Sequence, residues 1–320
     1  MADSGAVRLT RDTKAFVDAL AAQNAPPLYT LSPAEARQVL IDAQSGPATK
    51  AEADIKDVEL PVGPKGKASV RIVRPKGAAE KLPLIFYCHG GGWIMGNKNT
   101  HDRLVRAIAT GVGAVVVFPD YVPSPESQYP DPLEEAYAVF DHVVKNGDKF
   151  GVDTGKIVMA GDSVGGNMAT VLSLLSGRRG GPKILFQLLF YPVTDANFDS
   201  QSYYDFADGP WLTRKAMEWF WDAYLPDKSK RNDVTASPLQ GTAEQLKGLP
   251  PALVITAEND VLRDEGEAYA RKLDEAGVRS ACLRCNGTMH DFLMLDALSE
   301  TAPARMALSL GCAALKRVFK

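Results

Sequence analysis

Residues Gly161 to Gly165, Gly-Asp-Ser-Val-Gly, lie between a short β-branched run, Ile157-Val158-Met159-Ala160, and a small-residue segment from Gly165 to Leu175. The run reads as a buried strand and the segment as a helix with a tightly packed first turn. A strand that becomes a helix over so few residues must turn sharply. Such a turn leaves no room for a Cβ on either side of the serine. The segment therefore specifies a strand–turn–helix unit with Ser163 at its tip. Taken alone, it fits a tight structural turn as well as a reactive serine.

After Asp54 the chain alternates strand-like and helix-like segments. The strand-like runs are Ile55 to Leu60, Ala68 to Val73, Leu82 to Cys88, Ala114 to Phe118, Ile157 to Ala160, Ile184 to Tyr191, Ala252 to Thr256 and Ser280 to Arg284. The later runs are continuously apolar, as strands are when helices cover both faces of a parallel sheet. Helical patterns fall at His101 to Ala109, Pro132 to Lys145, Asn167 to Ser176, Asp264 to Ala276 and Ala302 to Phe319. This order predicts a doubly wound, mostly parallel α/β fold of eight strands. Two regions stand outside the alternation. Residues 1–50 carry helical stretches around Thr10 to Ala22 and Ser32 to Ala43, the second with Ser32 as cap and Pro33 at its first position. Residues 195–247 are an aromatic-rich insertion between strands, placed where a ligand crevice opens at the carboxyl ends of the sheet. Most of its aromatics are expected to be core, and a few to line a pocket. The chain thus divides into an alternating core of 51–194 and 248–320 and two helical segments outside it, 1–50 and 195–247.

Composition excludes several classes. A net charge of -3 with dispersed lysines and arginines gives no electrostatic case for nucleic acid or an anionic membrane. No stretch approaches the roughly 20 apolar residues needed to span a bilayer. The polar start, Met1-Ala2-Asp3-Ser4-Gly5, lacks the pattern of a secretory leader, so a cytoplasmic protein is expected. The four cysteines are too scattered for a disulfide framework, and Cys282 and Cys285 sit in a strand-like run where positions three apart face opposite sides.

A serine hydroxyl is a weak nucleophile until a neighbouring base takes its proton. In hydrolases whose serine sits at the tip of such a strand–turn–helix unit, the order along the chain is Ser, then Asp or Glu, then His. Of the four histidines, His89, His101, His142 and His290, only His290 follows Ser163. The acid belongs just past the Ala252 to Thr256 strand, where Glu258, Asp260 and Asp264 stand. Asp264 is better explained as a first-turn carboxylate of the next helix, which leaves Asp260 as first choice and Glu258 as fallback. Strand Leu82 to Cys88 runs into His89-Gly90-Gly91-Gly92-Trp93, whose bare amides suit an oxyanion. Gly91, Gly92 and Val164 are the expected donors, with His89 orienting the loop. The phosphate-binding alternative needs a GxxxxGK[ST] or GxGxxG pattern, and neither is present.

The segments His89 to Trp93, Gly161 to Gly166 and Asp260-Val261-Leu262-Arg263-Asp264-Glu265 together resemble the hormone-sensitive-lipase-like esterases, bacterial family IV. The likeness extends over about Leu82 to Phe292. It implies an α/β-hydrolase catalytic core, here 51–194 and 248–320, under a helical cap made of 1–50 and 195–247, and hydrolysis of short-chain acyl esters without metal or organic cofactor. By position it implies Ser163 as nucleophile, Asp260 as acid, His290 as base, and Gly91, Gly92 and Val164 as oxyanion hole. Glu126 falls in a family segment and is expected to tie the core loops together. Three positions depart from the pattern: Val164 replaces the usual alanine, Val122 an arginine and Val261 a proline. None removes a catalytic group; together they bear on substrate preference.

The expected activity is thus a serine carboxylesterase acting on short- to medium-chain acyl esters of small molecules through an acyl-enzyme. An amidase or acyl-peptide hydrolase would use the same residues. A small-molecule receptor on the same fold is a third reading, disfavoured because Ser163, Asp260 and His290 are all present. The terminal helix, Ala302 to Phe319, is the surface through which a homodimer would form.

Overall fold

A computed structural model describes residues 7–320. Eight strands form one sheet in the order β1-β2-β4-β3-β5-β6-β7-β8. They are β1 (Ala53–Leu60), β2 (Ala68–Pro75), β3 (Leu82–Cys88), β4 (Val115–Pro119), β5 (Val152–Asp162), β6 (Phe186–Phe190), β7 (Ala252–Asn259) and β8 (Ser280–Met289). Strands β3 to β8 run parallel, while β2 is antiparallel to both β1 and β4. The expected α/β-hydrolase architecture, eight strands and mostly parallel, is the one found.

Strands β3 and β4 are buried almost throughout, so both faces of the sheet centre are covered. This is why their sequences read as unbroken apolar runs. The covering helices are α3 (Asp102–Val112), α4 (Asp131–Lys145), the one-turn α5 (Gly147–Phe150), α6 (Val164–Arg178), α10 (Arg263–Glu275) and α11 (Ala302–Val318). Before the sheet come α1 (Arg11–Ala21) and α2 (Pro33–Ala43); between β6 and β7 come α7 (Gln201–Asp205), α8 (Arg214–Tyr224) and α9 (Ala243–Leu246). Ser32 and Glu35 close a capping box at the start of α2, with Pro33 in its first turn. No helix among the described residues is long and apolar enough to cross a membrane.

Two strand boundaries lie five residues from the sequence-based expectation, and the others differ by up to three. Strand β5 begins at Val152 rather than Ile157, because Val152 and Asp153 pair with Leu82 and Pro83 across a register shift. Strand β8 continues through Asn286, Gly287 and Thr288 to Met289, which pairs with Asn259. His290 therefore leaves the end of a strand directly.

Candidate active site

Ser163 sits between β5 and α6 with φ +54°, a left-handed conformation that costs a non-glycine residue energy. Its amide donates to the Phe190 carbonyl at 2.9 Å, and its carbonyl accepts from Val193. The turn is held on both sides by its glycines. A Cβ on Gly161 would meet the backbone of Gly165, and one on Gly165 would meet the Cys88 carbonyl. Helix α6 begins at Val164, immediately after the serine, because close contact with β3 leaves only glycine room to turn.

The structure brings Ser163, His290 and Asp260 into one hydrogen-bonded line. His290 Nε2 lies 2.9 Å from Ser163 Oγ, and His290 Nδ1 lies 2.7 Å from Asp260 Oδ2. Asp260 Oδ1 accepts the Leu262 amide at 3.0 Å, which fixes the carboxylate. Burial opposes charging of the His290 ring, but the Asp260 and Asp291 charges and the Asp260 hydrogen bond outweigh it and raise its pKa to about 9. The Tyr191 ring meets the imidazole edge-to-face at 4.9 Å. Glu258 is engaged elsewhere, accepting the Gly287 amide at 2.6 Å. Asp264 stands in the first turn of α10 and accepts the Ser202 amide at 2.8 Å.

The loop after β3 carries three consecutive left-handed residues, Gly91 (φ +104°), Gly92 (φ +63°) and Trp93 (φ +58°). A Cβ on Gly92 would strike the Phe220 ring of α8. Among the described residues, the amides of Gly91, Gly92 and Val164 donate to no protein acceptor. Val164 is the first residue of α6, where an amide has no partner within the helix. His89 is stacked between Tyr121 (4.2 Å) and Phe118 (5.1 Å), with Nδ1 2.8 Å from the Gly90 carbonyl. Burial, then the His101 charge, lower its pKa to about 3, so its neutral ring donates that bond. Behind the serine, Asp162 is fully buried and takes bonds from Tyr87 Oη (2.7 Å) and His101 Nε2 (3.2 Å).

Ser163, His290, Gly91 and Gly92 open on a cavity of about 100 Å³, walled by Leu28, Leu40, Met95, Trp211, Phe220 and Asp291 among others. Most of the inserted aromatics are core, including Tyr203, Trp221 and Tyr224, while Trp211 and Phe220 reach the cavity. Glu126 pairs with Arg37 of α2 through bonds of 2.9 and 2.6 Å, so it ties the N-terminal helix to the core rather than core loops to each other. Arg37 also donates to the Ile94 and Ser124 carbonyls. Sequence reasoning does not single out Asp291. The signal available was a charged residue directly after the lone downstream histidine.

The fold and this cavity define an α/β-hydrolase. A family model described as alpha/beta hydrolase fold matches residues 85–294, and the chain belongs to that family. The solved thermostable esterase from Pseudomonas putida ECU1011 is 45% identical, with a TM-score of 0.96 over 98% of this chain and 99% of that one. The carboxylesterase NlhH of Mycobacterium tuberculosis is 41% identical over 252 residues, 78% of each chain. An α/β hydrolase of Acanthamoeba polyphaga mimivirus is 39% identical over 305 residues, 95% of this chain and 87% of that one. The chain is a carboxylic ester hydrolase of the hormone-sensitive-lipase-like type.

Proposed function

We propose that this esterase hydrolyses short- to medium-chain acyl esters through an acyl-enzyme on Ser163. The observation that carries the reading is the line Asp260–His290–Ser163, with bonds of 2.7 and 2.9 Å, opening on a small apolar cavity. His290 Nε2 takes the Ser163 proton as Oγ attacks the ester carbonyl, then gives it to the departing alkoxide. Asp260 holds the ring with its Nδ1–H directed inward and balances the imidazolium charge. The unengaged amides of Gly91, Gly92 and Val164 receive the developing oxyanion. Water, activated by the same imidazole, then releases the acid.

A cavity of about 100 Å³ is smaller than the roughly 300–1,000 Å³ typical of drug-sized ligands, which favours short acyl chains. In this reading residues 1–50 and 195–247 act as the cap over a core of 51–194 and 248–320, because Leu28, Leu40, Trp211 and Phe220 supply cavity wall from those segments. The test is a series of p-nitrophenyl esters of increasing acyl length with a matched p-nitroanilide. Highest kcat/KM for the short acyl esters is expected. Clear preference for fatty-acyl esters, or a larger anilide rate, would overturn the reading.

A further inference from the structure

Asp291 lies directly after His290 with φ +64°, a conformation unfavourable to a side chain and best suited to glycine or asparagine. Its two oxygens have different surroundings. Oδ2 accepts the indole Nε1–H of Trp211, from the inserted segment, at 2.8 Å. Oδ1 is buried without a hydrogen-bond partner and stands 3.5 Å from His290 Nε2, the nitrogen that faces Ser163 Oγ. A buried carboxylate oxygen left unpaired costs free energy unless a positive charge forms beside it. The imidazole is the group placed to become that charge.

We propose that Asp291 is a positioning residue that flanks the second ring nitrogen of His290 and stabilises its imidazolium, with Trp211 fixing the carboxylate's pose. The inference rests on His290 acting as the base. During attack the Oγ–H bond of Ser163 breaks, an Nε2–H bond forms, and the ring gains one positive charge. Asp260 then lies at Nδ1 and Asp291 beside Nε2, so a carboxylate faces each side of the charged ring. The remaining groups facing the ring or this pair are Asp162 at the end of β5, the Tyr191 ring after β6, and His101 of the α3 N-cap behind Asp162. Burial raises the Asp291 pKa above its ordinary value, while the His290 charge opposes that rise. Asp291 and His290 therefore titrate as a pair.

The arrangement carries a cost. The same carboxylate that stabilises the imidazolium during acylation also holds the free enzyme's ring protonated, so the active neutral form is reached only at higher pH. Asp291→Asn keeps the shape and tolerates the backbone. Asp291→Gly removes the side chain and suits φ +64° better than aspartate does. In both variants the acid-side pKa of the kcat/KM profile should fall by about one unit or more, because an opposite charge at this distance is gone. The high-pH plateau should fall as well. An unmoved pKa in both folded variants, whatever their rates, would overturn the proposal. Ser163→Ala separates the two readings. If it abolishes turnover while the Asp291 variants leave the pKa in place, only the role of Asp291 fails. If it leaves turnover intact, the assignment of Ser163 as nucleophile fails, and with it the role of His290 as its base.

Discussion

The Trp93 indole lies flat on the Tyr224 ring, with centroids 4.0 Å apart and planes 3° from parallel, and meets Trp221 edge-on at 4.8 Å. Trp93 ends the glycine loop after β3, and Tyr224 and Trp221 end helix α8. The loop thus takes its position from the inserted segment as well as from the sheet. Tyr224→Ala should lower kcat of short esters more than it raises KM, because it loosens the groups aimed at the transition state. Tyr224→Phe keeps the stack and should stay near wild type. Steady-state kinetics of the two variants check this, and equal losses would place the effect in the hydroxyl instead.

Gly92 faces Phe220 so closely that any Cβ overlaps the ring. Gly92→Ala should cost about 10²-fold or more in kcat, the loss typical of one displaced oxyanion donor. Adding Phe220→Ala makes room and should recover part of the rate. A double mutant no faster than Gly92→Ala would show that the left-handed backbone, not the ring, sets the loss.

Arg37 links α2 to the core through Glu126 and two backbone carbonyls, and α2 also brings Leu40 to the cavity. Arg37→Ala should raise KM several-fold with little change in kcat. Glu126→Ala removes a half-exposed partner and should cost less than about 1 kcal/mol of stability. Urea titration and ester kinetics on both variants separate the two effects.

His89 is buried neutral with its pKa lowered to about 3, whereas an unfolded histidine titrates near 6.5. Between those values the unfolded chain binds more protons, so stability falls as pH drops, by up to about 1.4 kcal/mol per unit from this residue. His290 has the opposite shift, and its contribution is lost only as pH rises from 6.5 towards 9. The two windows do not overlap. Unfolding midpoints at pH 7 and pH 5 should differ clearly in the wild type and less in His89→Phe; an unchanged difference would show that His89 does not set the acid-side loss.

The sheet was legible because β-branched, apolar runs such as Val115 to Phe118 need burial on both faces. The polar stretch Asp153-Thr154-Gly155-Lys156 gave no such signal, since the early start of β5 comes from pairing of Val152 and Asp153 with the distant Leu82 and Pro83, and residues 154–156 fall in the register shift that follows. Asn286-Gly287-Thr288 reads locally as a loop, yet pairing of Met289 with Asn259 extends β8 through it. That Ser163 and His290 would meet a carboxylate past β7 was legible from chain order and strand ends. The choice of Asp260 over Glu258 needed the geometry, in which Asp260 bonds His290 and Glu258 bonds the Gly287 amide. Asp291 was not legible, because its meaning lies in a 3.5 Å approach to Nε2 and a bond to Trp211, 80 residues away. Arg37 and Glu126 show the same limit: only the tertiary fold reveals which partner a surface charge meets.

Everything proposed for the reaction turns on Ser163 carrying the acyl group. The direct measurement is acid-quenched turnover of a short p-nitrophenyl ester, followed by peptide mapping by mass spectrometry, on the wild type and on a folded Ser163→Ala variant. Acylation of the peptide spanning Gly161 to Gly165 is expected in the wild type, and neither acylation nor turnover above background in the variant. Acyl label on another residue, or undiminished turnover by Ser163→Ala, would contradict that role.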